Sequence, residues 1–493
     1  MIPKKYVFPL LAFLAPLLLR AIPEILMGPY VVGFDTMGYY VPTTLLWLRG
    51  GIDFWSFFAA APLFYTMVFS VVFAGAPLIL LLKVLPVLLH GFLGLSIYGY
   101  AKKGLNWSPK KSVAVALIGT VYFVAMRVSW DLLRNELALI FFFAALTLLS
   151  TSLQGVRSWK NYVLLSAAMM AVVLANQLAA VIMLFIFAVD IGQKLYKHER
   201  PQAAILTAVS LPAISTFLLI FYLNSWLDLN SSLSPFAGWL SLFGFSSYPS
   251  MLVSQAGFFL YCYLPLLPLA LLSLKRLNNL HLRSWFVVTL FLLIIPVLDP
   301  NKFRWTLMLT YPLAFYVSDA LSWVKSLNWR RFKFTLYRLA LVYVVLSTAV
   351  LSVSYVTMSP ENPSAYFNPG VFNGYIYQFP SSMLQNTVSI TDCQDTVNAL
   401  NWVKNSAAAD GVLLAHRAFY GWALSTLDSK QVLLYEYDNV TLAAENAAQL
   451  TTRPIYLIWW VGDQGWHGQQ NVSTVFQEMY RSGKIAIYLY TPS

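Results

Sequence analysis

Asp35, the cluster Asp131, Arg134 and Asn135, the pair Asn176 and Gln177, and the set Asp299, Lys302 and Arg304 all stand at the ends of long apolar runs. A carboxylate can take up a proton, a guanidinium offers phosphate oxygens a two-pronged donor, and side-chain amides hydrogen-bond hydroxyls. Ionisable groups at bilayer depth are expensive, so a cluster of them on one face is a functional site by default. The topology derived next places all four sets on the same side of a membrane. The pattern points to an integral membrane enzyme with an extracytoplasmic active site.

Composition settles the class of element that must carry these residues. The 493-residue chain is 59% hydrophobic and only 11% charged, against about 25% charged in soluble domains. Stretches such as 134–153, 205–223 and 339–358 are each long enough to cross roughly 30 Å of hydrocarbon as a helix. Lys4 and Lys5 precede the first apolar run, and Arg20 and Glu24 stand where a cleavable signal would carry small residues. That run reads as a retained helix.

The net charge of +12 is a topology signal and not a nucleic-acid footprint. The basic residues gather in short linkers, at Lys4/Lys5, Lys102/Lys103/Lys110/Lys111, Arg157/Lys160, Lys194/Lys197/Arg200, Lys275/Arg276/Arg283 and Lys325/Arg330/Arg331/Lys333/Arg338. The positive-inside rule makes each of these cytoplasmic. Counting between them gives about eleven transmembrane helices, over 6–27, 78–101, 112–128, 134–153, 161–176, 177–195, 201–223, 251–274, 284–298, 305–323 and 339–358, with the N-terminus inside and the C-terminus outside. The apolar stretch 60–101 could hold two spans, but that would invert every later linker. Segment 62–76 is therefore expected to lie in the outer interface, within a first outer loop over about 28–77.

Composition changes after residue 358. Acidic residues outnumber basic ones over 359–493, and the apolar runs shorten to strand length. Helix patterns at 392–407, 419–427, 439–450 and 471–482 alternate with strand patterns at 411–416, 431–437, 455–461 and 484–491. The alternation predicts a mostly parallel sheet, so 1–358 is a membrane domain and 359–493 an extracytoplasmic soluble α/β domain. Asn230, Asn439 and Asn471 open sequons on the outer side. Cys262 and Cys393 lie in different regions, which argues against a structural disulfide. No phosphate-binding glycine loop and no Cys/His metal spacing is present, which disfavours nucleotide-driven and dinucleotide chemistry.

The first outer loop reads Gly33-Phe34-Asp35-Thr36-Met37-Gly38-Tyr39-Tyr40-Val41-Pro42. An acidic residue just past the first span, followed by a Tyr-Tyr pair and an amphipathic stretch, resembles the GT-C glycosyltransferase superfamily. That superfamily includes protein O-mannosyltransferases, the lipid A aminoarabinose transferase and oligosaccharyltransferase catalytic subunits. The likeness continues at Leu63-Phe64-Tyr65, similar to the aromatic interfacial helix that follows that loop. Trp130-Asp131-Leu132-Leu133-Arg134-Asn135-Glu136, opening a span from the outer side, and Arg304-Trp305 are similar in placement to archaeal membrane proteins of this kind. The resemblance covers most of the chain through short motifs whose order and common side carry it.

The resemblance implies a donor sugar on a polyprenyl phosphate and an extracytoplasmic acceptor that is a glycan, lipid or protein, with inversion at the sugar. Asp35 then takes the acceptor's proton, with a helix N-cap for 36–49 as its alternative. Arg134 and Arg304, assisted by Lys302, hold the departing phosphate; the alternatives are ion pairs of Arg134 with Asp131 or Glu136, and of Arg304 with Asp299. Tyr39, Tyr40, Asp131, Asn135, Asn176 and Gln177 line the sugar and acceptor side, with helix capping or interhelical hydrogen bonding as the alternative for the three amides. His416 follows a strand's C-terminal end, where α/β ligand sites form, and joins the acceptor side. Tyr420, Trp422, Trp459, Trp460 and Trp466 read as sheet core, with sugar stacking as the alternative.

No cofactor is required on this reading. Some members of the superfamily bind a divalent ion near the first outer loop, but Asp35 has no second carboxylate beside it and Asp53 is distant. The partners are the lipid-linked donor, the acceptor and membrane lipids, with no nucleic acid. The competing readings are a non-catalytic scaffold of the same fold and a protein that handles or transports lipid-linked glycans. Transporters tend to carry inverted repeats and broken midplane helices, and the sequence shows no internal repeat.

Overall fold

The computed structural model describes residues 4–153, 158–227, 248–294, 303–326, 333–427, 431–436, 439–462 and 472–491. Asp299, Lys302, Trp466 and the sequon residues Asn230 and Asn471 lie outside them. The chain is a polytopic helical membrane protein with a C-terminal α/β domain.

The first half runs α1 (Lys4–Leu26), α2 (Val41–Gly50), α3 (Phe54–Ala59), α4 (Pro62–Phe73), α5 (Leu78–Gly99), α6 (Pro109–Val121), α7 (Phe123–Asp131), α8 (Leu133–Leu153), α9 (Trp159–Ala175), α10 (Gln177–Tyr196) and α11 (Arg200–Leu227). Helices Tyr248–Tyr263, Leu267–Leu274, Leu280–Ile294, Phe303–Met308, Thr310–Ser326, Lys333–Val345 and Leu351–Thr357 follow. Most of these runs are predominantly apolar. In hydrocarbon, a helix pairs its own backbone groups and can leave apolar side chains outward. Thus α11 exposes Leu211, Leu218 and Tyr222 while burying Ala213 and Ile220.

Of the eleven crossings expected, the span over 284–298 lies partly outside the described residues. Among the described residues six helices are long and apolar enough to cross a membrane, or eight if each of two bent pairs counts as one span. Those pairs are α6 with α7, bent by 58°, and Pro249–Tyr263 with Leu267–Leu274, bent by 97°. Helix α9 has 17 residues and Leu280–Ile294 has 15. At about 1.5 Å per residue, the 17 residues of α9 reach about 25 Å, short of a hydrocarbon core about 30 Å thick. Segment 62–76 is the separate helix α4.

The break between α6 and α7 falls at Tyr122 (φ −59°, ψ 137°). Its exposed groups are met from elsewhere: Ser352 donates to the Val121 carbonyl, and the Tyr122 hydroxyl donates to the Cys262 carbonyl at 2.5 Å. A second break at Leu132 (φ −89°, ψ 52°) ends α7 and starts α8. Asp131 is therefore the last residue of one helix, and Arg134 lies in the first turn of the next.

The α/β domain holds one five-stranded sheet ordered β2-β1-β3-β5-β4, with β1 Val412–His416, β2 Val432–Tyr435, β3 Ile455–Trp460, β4 Phe476–Ser482 and β5 Ile485–Tyr490. β1 runs parallel to both β2 and β3; β5 is antiparallel to β3 and to β4. Two expectations are corrected here. The sheet is mixed, and 476–482 is a strand where a helix was expected. β4 is an edge strand exposing Gln477, Glu478 and Met479, and it joins β5 through the two-residue loop Gly483-Lys484. An edge strand lacks the apolar alternation of a half-buried one, so its sequence period is weak. Tyr420, Trp422, Trp459 and Trp460 are all buried, as core residues.

The domain rests on the first loop of the membrane domain. Helix Arg417–Thr426 presses Gly421 against the Met37 carbonyl, which a Cβ there would meet at 1.9 Å. Arg49 of α2 donates to the Leu424 and Leu427 carbonyls at 2.9 and 3.2 Å, filling acceptors that a helix leaves open at its C-terminus. Trp422 Nε1 donates to Thr387 Oγ1 at 3.1 Å.

Candidate active site

A cavity of about 560 Å³ opens where the first loop, the α7–α8 break and the irregular segment after Thr357 meet. Asp35, Tyr39, Tyr40, Asp131, Arg134 and Arg304 all line it. They come from three places in the sequence. Asp35, Tyr39 and Tyr40 lie at a π-helical turn over Thr36–Tyr40 that leads into α2. Gly33 (φ +100°) admits this loop against α7, since a Cβ there would stand 2.0 Å from the Trp130 carbonyl. Its N–H donates to the Gln385 carbonyl at 3.1 Å.

Asp35 makes no capping hydrogen bond through its side chain. Its Oδ2 lies 3.7 Å from Nη2 of Arg304, and both side chains keep partial exposure, 12% and 24%. Arg304 Nε is buried with no hydrogen-bond partner among the described residues. Asp131 is engaged differently. It forms a buried i,i+4 ion pair with Arg127, whose Nε donates to the Gln378 carbonyl at 2.9 Å. The Tyr40 hydroxyl donates to the Asp131 carbonyl at 3.1 Å. Burial raises the phenols of Tyr39 and Tyr40 above their ordinary value, against the opposing pull of Arg417 on Tyr39 and Arg134 on Tyr40. Both are neutral donors at neutral pH.

Arg134 pairs with no carboxylate among the described residues. Asp131 is taken by Arg127, and Glu136 by His90, whose Nδ1 lies 2.5 Å from Glu136 Oε1. The Arg134 guanidinium donates to the Ala60 carbonyl at 3.4 Å and lies 5.9 Å from the Tyr40 ring centroid. It stands at the cavity wall as a cation held by neutral groups.

Asn135, Asn176, Gln177 and His416 lie outside the cavity lining. Asn176 Nδ2 donates to Asn135 Oδ1 at 2.9 Å, and Asn176 Oδ1 caps α10 by accepting from the Ala179 N–H at 3.1 Å. Gln177 Nε2 reaches the Ala59 carbonyl at 3.5 Å. His416 is buried between Tyr435 and Trp459 and caps helix Arg417–Thr426 through Nδ1, accepting from the Ala418 N–H at 3.3 Å. Sequence reasoning missed Arg127 and Tyr377, both of which line the cavity. The available signal for Arg127 was an arginine inside an apolar run four residues before Asp131, a helical ion-pair spacing. Among the described residues no group of three His, Cys, Asp or Glu stands where a metal ion could be held.

The crystal structure of ArnT from Cupriavidus metallidurans in the apo state is similar to this chain at 11% sequence identity and a TM-score of 0.47, with 97% of each chain covered. No protein-family model matches the chain, and no curated protein matches it.

Proposed function

We propose that the chain is an inverting membrane glycosyltransferase of the GT-C kind, moving a sugar from a polyprenyl-phosphate donor to an acceptor hydroxyl or amide on the extracytoplasmic side. The observation that carries the reading is one cavity holding a carboxylate that caps no helix, Asp35, beside two guanidiniums, Arg304 and Arg134, that pair with no other carboxylate among the described residues. The short sequence motifs around these residues support it.

The chemistry balances on these groups. Asp35 takes the acceptor's proton as the acceptor attacks the anomeric carbon. The bond from that carbon to the phosphate oxygen breaks, and the phosphate leaves with the electron pair. Charge grows on the phosphate as the bond lengthens, so fixed guanidiniums stabilise the transition state more than the ground state. Without donor, Arg304 neutralises Asp35 across 3.7 Å. A bound phosphate would draw Arg304 to itself and leave the carboxylate free to act as a base. Tyr39 and Tyr40, neutral and facing the cavity, would donate to sugar hydroxyls. Lys302, outside the described residues, would add a point charge to the phosphate-binding set. Asn135, Asn176 and Gln177 would act indirectly, by holding the backbone beneath the cavity.

The test is transfer by the purified protein in bilayer discs, given polyprenyl-phosphate sugars in which the sugar is radiolabelled. Time-dependent release of free polyprenyl phosphate with label moved to an acceptor supports the reading. Tight binding of the donor with no turnover across sugars and acceptors would favour the scaffold or carrier alternative.

A further inference from the structure

Three ionisable side chains near the cavity take no part in that chemistry. Arg20 and Glu24 lie on α1 and Lys83 on α5, with side-chain exposures of 0%, 6% and 16%. Arg20 Nη2 lies 2.9 Å from Glu24 Oε1, and Lys83 Nζ lies 3.3 Å from Glu24 Oε2. Charged groups on apolar spans are expensive unless they are paired, so what these three hold is informative.

They hold backbone. Lys83 Nζ donates to the carbonyls of Glu24 at 2.8 Å and Tyr30 at 2.6 Å. With Glu24 Oε2 these make three acceptors for an ammonium that has three protons. Arg20 Nε donates to the Ser129 carbonyl at 3.2 Å. Glu24 lies in the last turn of α1 and Ser129 in the last turn of α7. Each cation therefore sits on carbonyls that a helix leaves open at its negative end. Tyr30 starts the loop that carries Asp35, and Ser129 lies two residues before Asp131.

We propose that Arg20, Glu24 and Lys83 form a positioning clamp. It ties the root of the first loop to the end of α7 and so fixes Asp35 against Asp131 and Arg134 across the cavity. This rests on the reading of Asp35 as the base. Glu24 joins the two cations, so the two anchor points are set relative to one another. Displacing a reacting group by about 1 Å can cost on the order of a hundredfold in rate.

The test uses the full-length protein in bilayer discs, with Lys83→Met, Lys83→Arg and Glu24→Gln. The clamp predicts that Lys83→Met lowers kcat about tenfold or more, leaves the donor KM nearly unchanged, and is partly rescued by Lys83→Arg. A fall in activity that tracks the folded fraction alone, with no kcat–KM split, would overturn it. A second readout needs no turnover: Asp35→Cys is labelled with a thiol reagent in the parent and Lys83→Met backgrounds. Faster labelling in Lys83→Met supports the clamp, and equal rates overturn it. If Lys83→Met does not fold, Glu24→Gln is read by the same criteria. Absence of transfer by the parent protein would sink the glycosyltransferase reading, and the labelling rates would still decide the clamp.

Discussion

Asp35 and Arg304, far apart in sequence, face one another across a single cavity with Oδ2 and Nη2 at 3.7 Å. The separation is that of a loose pair, with side-chain exposures of 12% and 24%. A tight buried pair would hold both groups in place, whereas this one leaves Asp35 a lone pair for a proton and Arg304 a fork for an incoming phosphate.

The guanidiniums divide the donor's phosphate between them on this account. Arg304→Ala is expected to raise the donor KM and lower kcat together, by about tenfold or more, since a charge-assisted bidentate contact is lost. Arg134→Lys keeps the charge but not the fork, so a smaller loss is expected. Melting should change little for Arg134→Lys, since Arg134 pairs with no carboxylate among the described residues, whereas Arg304→Ala removes the ion-pair partner of Asp35 and is expected to lower melting modestly as well. Steady-state kinetics at several donor concentrations, beside thermal melting, check this.

Arg127 and Asp131 should behave in the opposite way. Their ion pair is buried, at 3% and 6% side-chain exposure, and Arg127→Met would strand the Asp131 carboxylate. Removing one partner of such a pair costs about 3–5 kcal/mol. Arg127→Met is therefore expected to lower the melting temperature sharply, and Arg127→Met with Asp131→Leu to recover part of the loss. Equal melting of single and double variants would show that the pair is not what Arg127 stabilises.

Much of this site was legible because charge is rare in the membrane domain. Asp35, Asp131, Arg134 and Arg304 stood out against apolar runs, and all four line the cavity. Asn135 and Asn176 stood out by the same criterion, and His416 by its place at a strand's C-terminal end, but their bonds are to one another or to a helix end. Sequence shows that a polar group must be satisfied but not whether its partner is the protein itself. The helices were legible as apolar runs, but the breaks at Tyr122 and Leu132 were not. Neither is a proline or a glycine, and their partners are distant in sequence: Ser352 and Cys262 at the Tyr122 break, and Tyr40 on the Asp131 carbonyl beside Leu132. The strand β4 was misread because an edge strand need not alternate.

The orientation of the bundle is tested by thiol accessibility. Asp53→Cys lies in the first loop and Asn106→Cys in a lysine-rich linker, which the charge rule assigns to opposite faces. In intact cells an impermeant thiol reagent is expected to label the first and spare the second. Cys262 and Cys393 are both buried, and burial pushes the Cys393 thiol up to about 12, so background labelling should be low. Labelling of Asn106→Cys from outside would invert the assignment.

The central claim is that Asp35 is the base, and Asp35→Asn measures it most directly. The change preserves size, and Asn is as good an N-cap as Asp. Asp35 also makes no capping bond to lose. Transfer from a polyprenyl-phosphate sugar and thermal melting should be measured on the same purified variant. The account predicts a rate loss of about a hundredfold or more, as loss of acid–base help typically gives, with melting unchanged. Transfer at the parent rate would contradict it and move the search for the base to Asp131.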